Sequence, residues 1–212
     1  MKNLLSMKQE LLSIIHWFHA KGWAPATSTN YSFRNPDAEG NTITISRSGV
    51  DKGAFQIEDF IEVDQFGQTL QPYLSIKPSA ETLLHTMLYE QPDIQAILHT
   101  HSVANTVFSW VHRMEPSVTI EGFELLKGIA GIDSHETSLQ LPIFANSQDM
   151  PRLSAEIREG LTKYPGVPGF LLVGHGLYAW GSSIAEAKRH IEVFEFLLEC
   201  LNALESRNLY YS

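Results

Sequence analysis

The stretch Ala96-Ile-Leu-His-Thr-His-Ser102 is an apolar β-strand pattern that ends in two histidines separated by one residue. Residues two apart on a strand face the same side, so His99 and His101 can reach one ion together, provided that Thr100 turns into the opposite layer. Nitrogen ligands in this arrangement suit a divalent metal, zinc first among them. A His-x-His pair also arises by chance, with one ring bonded to a backbone carbonyl, so the pair alone leaves both interpretations open.

A third candidate ligand ends a second run of the same kind, Phe170-Leu-Leu-Val-Gly-His-Gly176. A catalytic zinc usually holds three protein ligands and keeps one position open, and His175 supplies the third. Gly174 and Gly176 allow other groups to approach that ring closely. The other histidines lie in helical patterns or in a polar loop, where we expect solvation or hydrogen bonding: His16, His19, His85, His112, His190 and His135.

Composition and charge narrow the possible functions. With 43% apolar and 18% charged residues, the chain of 212 residues can bury one core, and we expect a single domain over 1–212. One cysteine, Cys200, excludes an intramolecular disulfide and a multi-thiolate zinc site. A formal net charge of −9 argues against nonspecific nucleic-acid binding. Charges near the N-terminus and the lack of a long apolar run predict no signal peptide, no membrane span and a cytoplasmic location.

Apolar periodicity predicts an alternation of helices and strands, which is typical of an α/β protein. The first half should contain a helix over 4–21 and strands over 31–34, 42–46 and 60–64, the first two forming a hairpin. The elements predicted after them are a helix from 78 to about 90, a strand over 94–99, a helix over 103–112, strands over 117–121 and 138–144, a helix over 154–164, a strand pair over 170–180 and a closing helix over 184–206.

Three segments combine small residues with hydroxyls or free amides. The segments 27–32 and 46–52 can cradle a phosphate, although both also suit ordinary turns. Lys77-Pro-Ser-Ala-Glu81 adds a predicted helix N-terminus, which carries roughly half a positive charge and unpaired amides. Ser79 could cap that helix or bind an anion.

Three carboxylates are candidates for an acid/base group or a ligand beside the metal. Proton abstraction next to a metal-bound carbonyl requires a base. Glu81 lies in the first turn of the predicted helix that immediately precedes the His99 strand. It could reach the metal from there, or its charge could simply be favourable at the positive end of the helix dipole. Glu121 and Glu124 follow the metal strand and its helix, and either could be the base or belong to a solvated helix start.

Taken in order, these motifs resemble the class II aldolase/adducin family over nearly the whole chain. They are Thr-Asn-x-Ser, Ser-Gly-x-x-Lys, Lys-Pro-Ser-Ala-Glu, His-Thr-His and Gly-His-Gly. The resemblance implies a three-layer α/β/α domain with a central, mostly antiparallel sheet. It also implies one Zn²⁺ per subunit, a small-molecule sugar-phosphate substrate and a homo-oligomer, often a tetramer, with active sites near the subunit interfaces.

The same resemblance implies roles for individual residues. His99, His101 and His175 match the zinc ligands of the family. The positions where the family's aldolases hold the substrate phosphate correspond to Asn30, Ser48, Gly49 and Ser79, with Lys52 and Lys77 as nearby positive charges.

Within the family, three segments are most similar to the branch that dehydrates 5-methylthioribulose 1-phosphate to 2,3-diketo-5-methylthiopentyl 1-phosphate in methionine salvage. These segments are His-Thr-His-Ser, Glu-Leu-Leu-Lys-Gly-Ile and His-Gly-Leu-Tyr-Ala-Trp-Gly. Glu124 matches the catalytic glutamate of that branch, whereas Glu81 matches the acid/base carboxylate of the sugar-phosphate aldolases. The resemblance therefore favours a hydro-lyase with Glu124 as its base.

Two other functions stay open. An aldolase or epimerase acting on another sugar phosphate would use the same metal and phosphate sites, with Glu81 as the base; in a dehydratase, Glu81 could be a fourth ligand. An adducin-like interaction module would need neither the metal site nor the phosphate site, and the presence of all three candidate ligands counts against it. Phe123, Tyr178 and Trp180 are candidates for an apolar pocket around a methylthio group, although aromatic residues in strands more often form core.

Overall fold

Residues 3–36 and 41–210 are described by the computed structural model, 208–210 by backbone alone. Within these ranges the chain forms five α-helices and eight β-strands. The helices are α1 (Leu4–Ala20), α2 (Thr82–Leu88), α3 (Val103–Val111), α4 (Met150–Leu161) and α5 (Ile184–Tyr210). The strands are β1 (Tyr31–Arg34), β2 (Ile43–Ser46), β3 (Phe60–Val63), β4 (Ala96–Thr100), β5 (Ser117–Ile120), β6 (Leu139–Phe144), β7 (Gly169–Leu172) and β8 (Gly176–Gly181). Among the described helices, none has the length and apolar character needed to cross a bilayer.

One sheet contains all eight described strands, in the order β3-β2-β1-β4-β8-β7-β6-β5. Neighbouring strands run antiparallel, except that β6 and β7 are parallel. This sheet confirms the predicted, mostly antiparallel architecture. β1 and β2 form the expected hairpin, and part of the turn between them lies outside the described residues.

Helices cover both faces of the sheet, because successive residues of a strand point to opposite sides. On one face, Leu98 of β4 and Ala179 of β8 join a core formed with α1, α3 and α5. On the other face, Ile97 and Trp180 join a core formed with α2 and α4. The result is the three-layer α/β/α arrangement that the family resemblance implies.

Two helices begin at residues other than those predicted. α2 starts at Thr82 rather than at 78, and the residues before it form turns. α4 starts at Met150 rather than at 154, because the Asp149 side chain accepts a backbone N–H of the first turn and Pro151 lies within that turn. These differences leave the order of the elements unchanged.

Sheet topology decides which loops share an end of the sheet. β4 and β8 are antiparallel with Thr100 opposite Leu177, so the end of β4 lies beside the β7–β8 turn. β6 runs parallel to β7, and β5 runs antiparallel to β6 with Ile120 opposite Leu139. β5 therefore ends at the opposite end of the sheet and leads into a short 3-10 helix, Glu124–Gly128.

Candidate metal centre

Three histidines from β4 and the β7–β8 turn meet at one end of the sheet. His99, His101 and His175 each present a ligand atom within 4.8 Å of the other two. The Nε2 atoms of His99 and His101 are 2.7 Å apart. Thr100, between them, points to the other face of the sheet and contacts α5, so strand alternation brings both rings to the same side. The structure thus brings together all three residues that the sequence singles out as ligands.

The surroundings of His99 determine its tautomer. Its Nδ1 lies 2.9 Å from the carbonyl oxygen of Leu177, which can only accept, so Nδ1 carries the hydrogen and Nε2 presents a lone pair to the cluster. Burial and the neighbouring His101 lower the pKa of His99 well below its ordinary value. Burial also lowers the pKa of His101 to about 4. Both rings are therefore neutral at pH 7, which is the state that binds a metal.

Glycines allow the β7–β8 turn to place His175 against β4. Gly174 has a φ of +60° and lies against the Trp110 ring, which is 3.0 Å from where a Cβ would be. A Cβ on Gly176 would lie 2.2 Å from the carbonyl oxygen of Thr100. α3 also holds the turn, since Ser109 accepts the N–H of Gly174. The close approach predicted from the two glycines is observed.

Glu81 adds a carboxylate to the histidine cluster. Its Oε1 lies 3.3 Å from His175 Nε2, and its Oε2 lies 3.8 Å from His99 Nε2. Tyr178 donates its hydroxyl to Oε2 at 3.1 Å and stacks its ring on His99, with centroids 3.9 Å apart. Burial alone would raise the pKa of Glu81, but the hydrogen bond to His175 and the attraction of both histidines outweigh burial and lower that pKa. Glu81 can therefore act as a fourth ligand or as an ionised acid/base group.

A buried hydrogen-bond chain orients the amide of Asn30. Asn30 donates its Nδ2 to Glu81 and accepts at Oδ1 from His85 Nε2 at 2.5 Å. His85 Nδ1 accepts from Ser32, whose hydroxyl accepts in turn from Tyr89. The sequence predicts only that His85 is solvated or hydrogen-bonded, and the structure shows it buried and hydrogen-bonded. Its spacing of four residues from Glu81, which puts both on one face of a helix, is the signal that links it to the site.

Lys52 is fully buried beside the centre. Its ammonium group donates to the carbonyl of Val50 at 3.0 Å, and burial lowers its pKa to about 8. The Lys52 charge is close enough to lower the pKa of His101, and Glu81 in turn favours the charged lysine. Lys52 thus supplies positive charge near the histidines, as expected for a site that takes an anion.

The other predicted phosphate residues lie in more open positions. Ser79 is half-buried and accepts the N–H of Glu81 at 3.3 Å, which places it at the edge of the centre. Ser48 and Gly49 form an exposed turn, in which Gly49 has a φ of +77°. Lys77 is also exposed. Within this set, Asn30 and Ser79 are hydrogen-bonded to Glu81, and Lys52 acts on the cluster through its charge.

Comparison with known proteins identifies the family. Residues 9–201 match the family model described as the Class II Aldolase and Adducin N-terminal domain. The chain belongs to this family. Among relatives of this class II aldolase/adducin protein, one from Picosynechococcus sp. is 51% identical and covers 92% of this chain and 91% of its own. One from Pseudomonas aeruginosa is 43% identical and covers 93% and 94%. Both relatives are named methylthioribulose-1-phosphate dehydratase.

Solved structures share the fold of this class II aldolase/adducin chain. YgbL from Escherichia coli superposes with a TM-score of 0.78 at 25% identity, covering 94% of this chain and 89% of its own. An L-fuculose 1-phosphate aldolase superposes with a TM-score of 0.76 at 19% identity, covering 95% and 87%. At 19% identity the second likeness shows the fold alone.

Glu124 lies apart from the histidine cluster of this class II aldolase/adducin chain. It is 71% exposed and pairs with Lys127 at 2.6 Å and His135 at 3.3 Å. It follows β5, which is four strand positions from β4, about 19 Å at about 4.8 Å per strand, and which ends at the opposite end of the sheet. Glu121 is exposed in the same segment. One copy of the chain therefore does not bring Glu124 to its own cluster.

The three aromatic candidates for an apolar pocket lie in the two cores. Tyr178 and Trp180 are buried, and Tyr178 stacks on Phe170 with centroids 4.9 Å apart. Phe123 is partly buried against the core on the α5 side of the sheet. Packing therefore accounts for these rings, and Tyr178 reaches the centre through its hydroxyl rather than as part of an apolar wall.

Proposed function

We propose that this protein is a zinc-dependent methylthioribulose-1-phosphate dehydratase, a cytoplasmic hydro-lyase of methionine salvage. The observation that carries the proposal is the meeting of three histidine rings and the Glu81 carboxylate at one end of the sheet. The similarity of nearly the whole chain to relatives of that name supports the reaction. The substrate would be 5-methylthioribulose 1-phosphate and the product 2,3-diketo-5-methylthiopentyl 1-phosphate.

The donor set fits zinc. His99, His101 and His175 would hold the ion through ring nitrogens, and the lone pair on His99 Nε2 already faces the cluster. When bound, zinc would supply Lewis-acid polarisation of the substrate's carbonyl and neighbouring hydroxyl oxygens. Glu81, ionised and hydrogen-bonded to Tyr178, would either complete the ligand set or exchange a proton with the substrate.

The phosphate of the substrate would bind on the Asn30 and Lys52 side of the centre. The hydrogen-bond chain from His85 turns the amide of Asn30 so that its N–H groups face Glu81 and the site. Lys52 adds a cation within a protein whose net charge is −9, which favours a local anion site. Ser79 and the turn with Ser48 and Gly49 would provide further hydrogen bonds.

Glu124 would remove the C3 proton. The C4–O bond then breaks, hydroxide leaves, and the resulting enol takes up a proton at C4 to give the ketone at C3. Because Glu124 of the same copy lies at the other end of the sheet, a second copy of the chain would supply it, and the proposed assembly is a homotetramer with sites between subunits.

An exposed apolar stripe on α3 supports association between copies. Its residues follow the spacing of one helix face and adjoin the cluster, since the helix begins two residues after His101 and Trp110 lies against Gly174. Such a stripe would be covered in an oligomer. Its members are Val103, Val107, Trp110 and Val111 of α3, together with Met114 in the turn that follows the helix.

One assay tests substrate and reaction type together. Metal-replete protein is incubated with 5-methylthioribulose 1-phosphate and the diketone is followed, with fuculose 1-phosphate and ribulose 5-phosphate in parallel. We expect zinc-dependent loss of water from the methylthio substrate alone. Retro-aldol cleavage of either other sugar phosphate would overturn the dehydratase assignment.

The position of Glu81 favours one alternative, an aldolase or epimerase. Glu81 lies within 3.3 Å of His175, where a base for such a reaction would act, whereas Glu124 of the same copy does not. Cleavage or epimerisation that disappears in Glu81→Gln but persists in Glu124→Gln would establish this alternative. Purified protein that binds no metal and converts none of the three sugars would instead favour an interaction module.

A further inference from the structure

Glu195 is a fully buried carboxylate of α5 that the proposed reaction does not use. It lies on the face of β4 opposite the histidines, beneath the junction between β4 and α3. Burial raises its pKa to about 7, against the lowering effect of its hydrogen bonds. Burying a carboxyl group costs free energy unless hydrogen bonds compensate for the lost water, so the partners of Glu195 indicate why it is there.

Three neutral side chains of the junction donate hydrogen bonds to Glu195. Thr100 donates its hydroxyl to Oε1 at 2.5 Å, and Ser102 donates its hydroxyl to Oε2 at 2.5 Å. Asn105 donates its amide to Oε1 at 2.9 Å. Ser102 is also the N-cap of α3, where it accepts the backbone N–H of Asn105. The carboxylate thus joins the last residue of β4 to the first turn of α3.

The residues bound to Glu195 alternate with two of the histidines. Thr100 lies between His99 and His101, and Ser102 follows His101 directly. With Thr100 and Ser102 both bound on the α5 side, His99 and His101 must both face the opposite side. The distance between the two rings therefore depends on the hydrogen bonds that Thr100 and Ser102 make to Glu195 on the α5 side.

We propose that Glu195 is a positioning residue that holds His99 and His101 at the spacing required to bind one divalent metal. The inference rests on the proposed metal site and adds to it a residue outside the ligand set. A carboxylate suits this position because both of its oxygens accept hydrogen bonds, whereas a glutamine would offer one accepting oxygen and an amide donor facing a hydroxyl.

The test measures metal binding rather than turnover. The affinity for Zn²⁺ is measured by competition with a chromophoric chelator, and the visible spectrum of the Co²⁺-substituted protein reports ligand geometry. We expect Glu195→Gln to lower Zn²⁺ affinity about 10-fold or more, as loss of groups that orient metal ligands does, and to alter the Co²⁺ spectrum. Glu199→Gln, one turn further along α5 at an exposed position, is the matched control and should keep wild-type affinity.

A second pair of variants approaches the same contact from β4. Thr100→Ser keeps the hydroxyl that reaches Glu195, and Thr100→Val removes it with little change in shape. We expect Thr100→Val to lose Zn²⁺ affinity and Thr100→Ser to retain it. If Glu195→Gln does not fold, the comparison of these two variants is the deciding test. Wild-type Zn²⁺ affinity in a folded Glu195→Gln, or equal affinities in the two Thr100 variants, would overturn the role of Glu195 and leave the proposed metal site standing. A wild-type protein that binds neither Zn²⁺ nor Co²⁺ would overturn the metal site as well.

Discussion

Glu81 and Glu124, the two candidate bases, lie in different surroundings. Glu81 is half-buried among histidines, an amide and a tyrosine hydroxyl, all of which favour its ionised form. Glu124 is exposed, and the pairing with Lys127 lowers its pKa. A base must be ionised before it acts, and both groups meet that condition at neutral pH. Position relative to the substrate, rather than pKa, therefore separates their roles.

Replacement of Glu124 by Gln tests the base directly. We expect the metal content and the fold to persist, because the side chain is 71% exposed, and turnover to fall about 100-fold or more through loss of general base catalysis. Steady-state rates and zinc stoichiometry measure the two effects. Glu121→Gln is the matched control in the same segment and should turn over normally. A wild-type rate in Glu124→Gln would show that Glu124 is not the base. A loss of activity confined to Glu121→Gln would make Glu121 the candidate base instead.

At the scale of elements, His85 ties α2 to β1 through Ser32 and Asn30. Burial lowers its pKa to about 4, from 6.5 in the unfolded chain. Between these values the unfolded state binds more protons, so the free energy of unfolding falls as pH decreases through this window, by up to about 3 kcal/mol from this residue. Urea unfolding of metal-free protein at pH 7.5 and 4.5 measures the decrease. It should be smaller in His85→Gln and unchanged in His16→Gln, which alters an exposed histidine; an equal decrease in all three proteins would contradict the prediction.

The contact between β8 and β4 gives a second prediction for elements. Gly176→Ala would place a Cβ 2.2 Å from the carbonyl oxygen of Thr100, and backbone cannot move aside as a flexible side chain can. We expect a loss of about 1–3 kcal/mol or more in the free energy of unfolding, together with weaker zinc binding, because His175 shifts relative to His99. Thermal unfolding and metal titration measure the two changes. Normal metal binding in a destabilised Gly176→Ala would show that the turn and the centre are independent.

Local patterns predict the elements and place His99 and His101 on one side of a strand, because strand alternation is a local property. The meeting of His175 with these two rings depends on the pairing of β4 with β8, and the sequence indicates it only through the similar strand-end motifs and the family resemblance. Local patterns do not predict the place of β5 at the edge of the sheet, since sheet order depends on packing between distant segments. The distance from Glu124 to His99 depends on that order. The hydrogen bonds of Glu195 were missed for the same reason, because α5 meets the end of β4 only in the folded chain.

At the scale of the whole molecule, the separation of Glu124 from the cluster predicts that active sites form between copies. His101→Ala removes a candidate ligand and Glu124→Gln removes the proposed base, so each variant alone should be nearly inactive. If the base comes from a second copy, a mixed oligomer contains interfaces that pair an intact cluster from one variant with an intact Glu124 from the other. Random mixing in equal amounts should then restore about a quarter of the wild-type rate.

The two variants are unfolded together in equal amounts, refolded with Zn²⁺ and assayed for the diketone, and each variant refolded alone is the control. Rescue should appear only after subunits exchange, so the same proteins mixed without unfolding should regain activity slowly or not at all. If Glu124 acted on the cluster of its own copy, every cluster in the mixture would still lack a ligand or a base. Activity no higher than that of the single variants, from oligomers shown by native mass spectrometry to contain both variants, would therefore exclude a site shared between subunits.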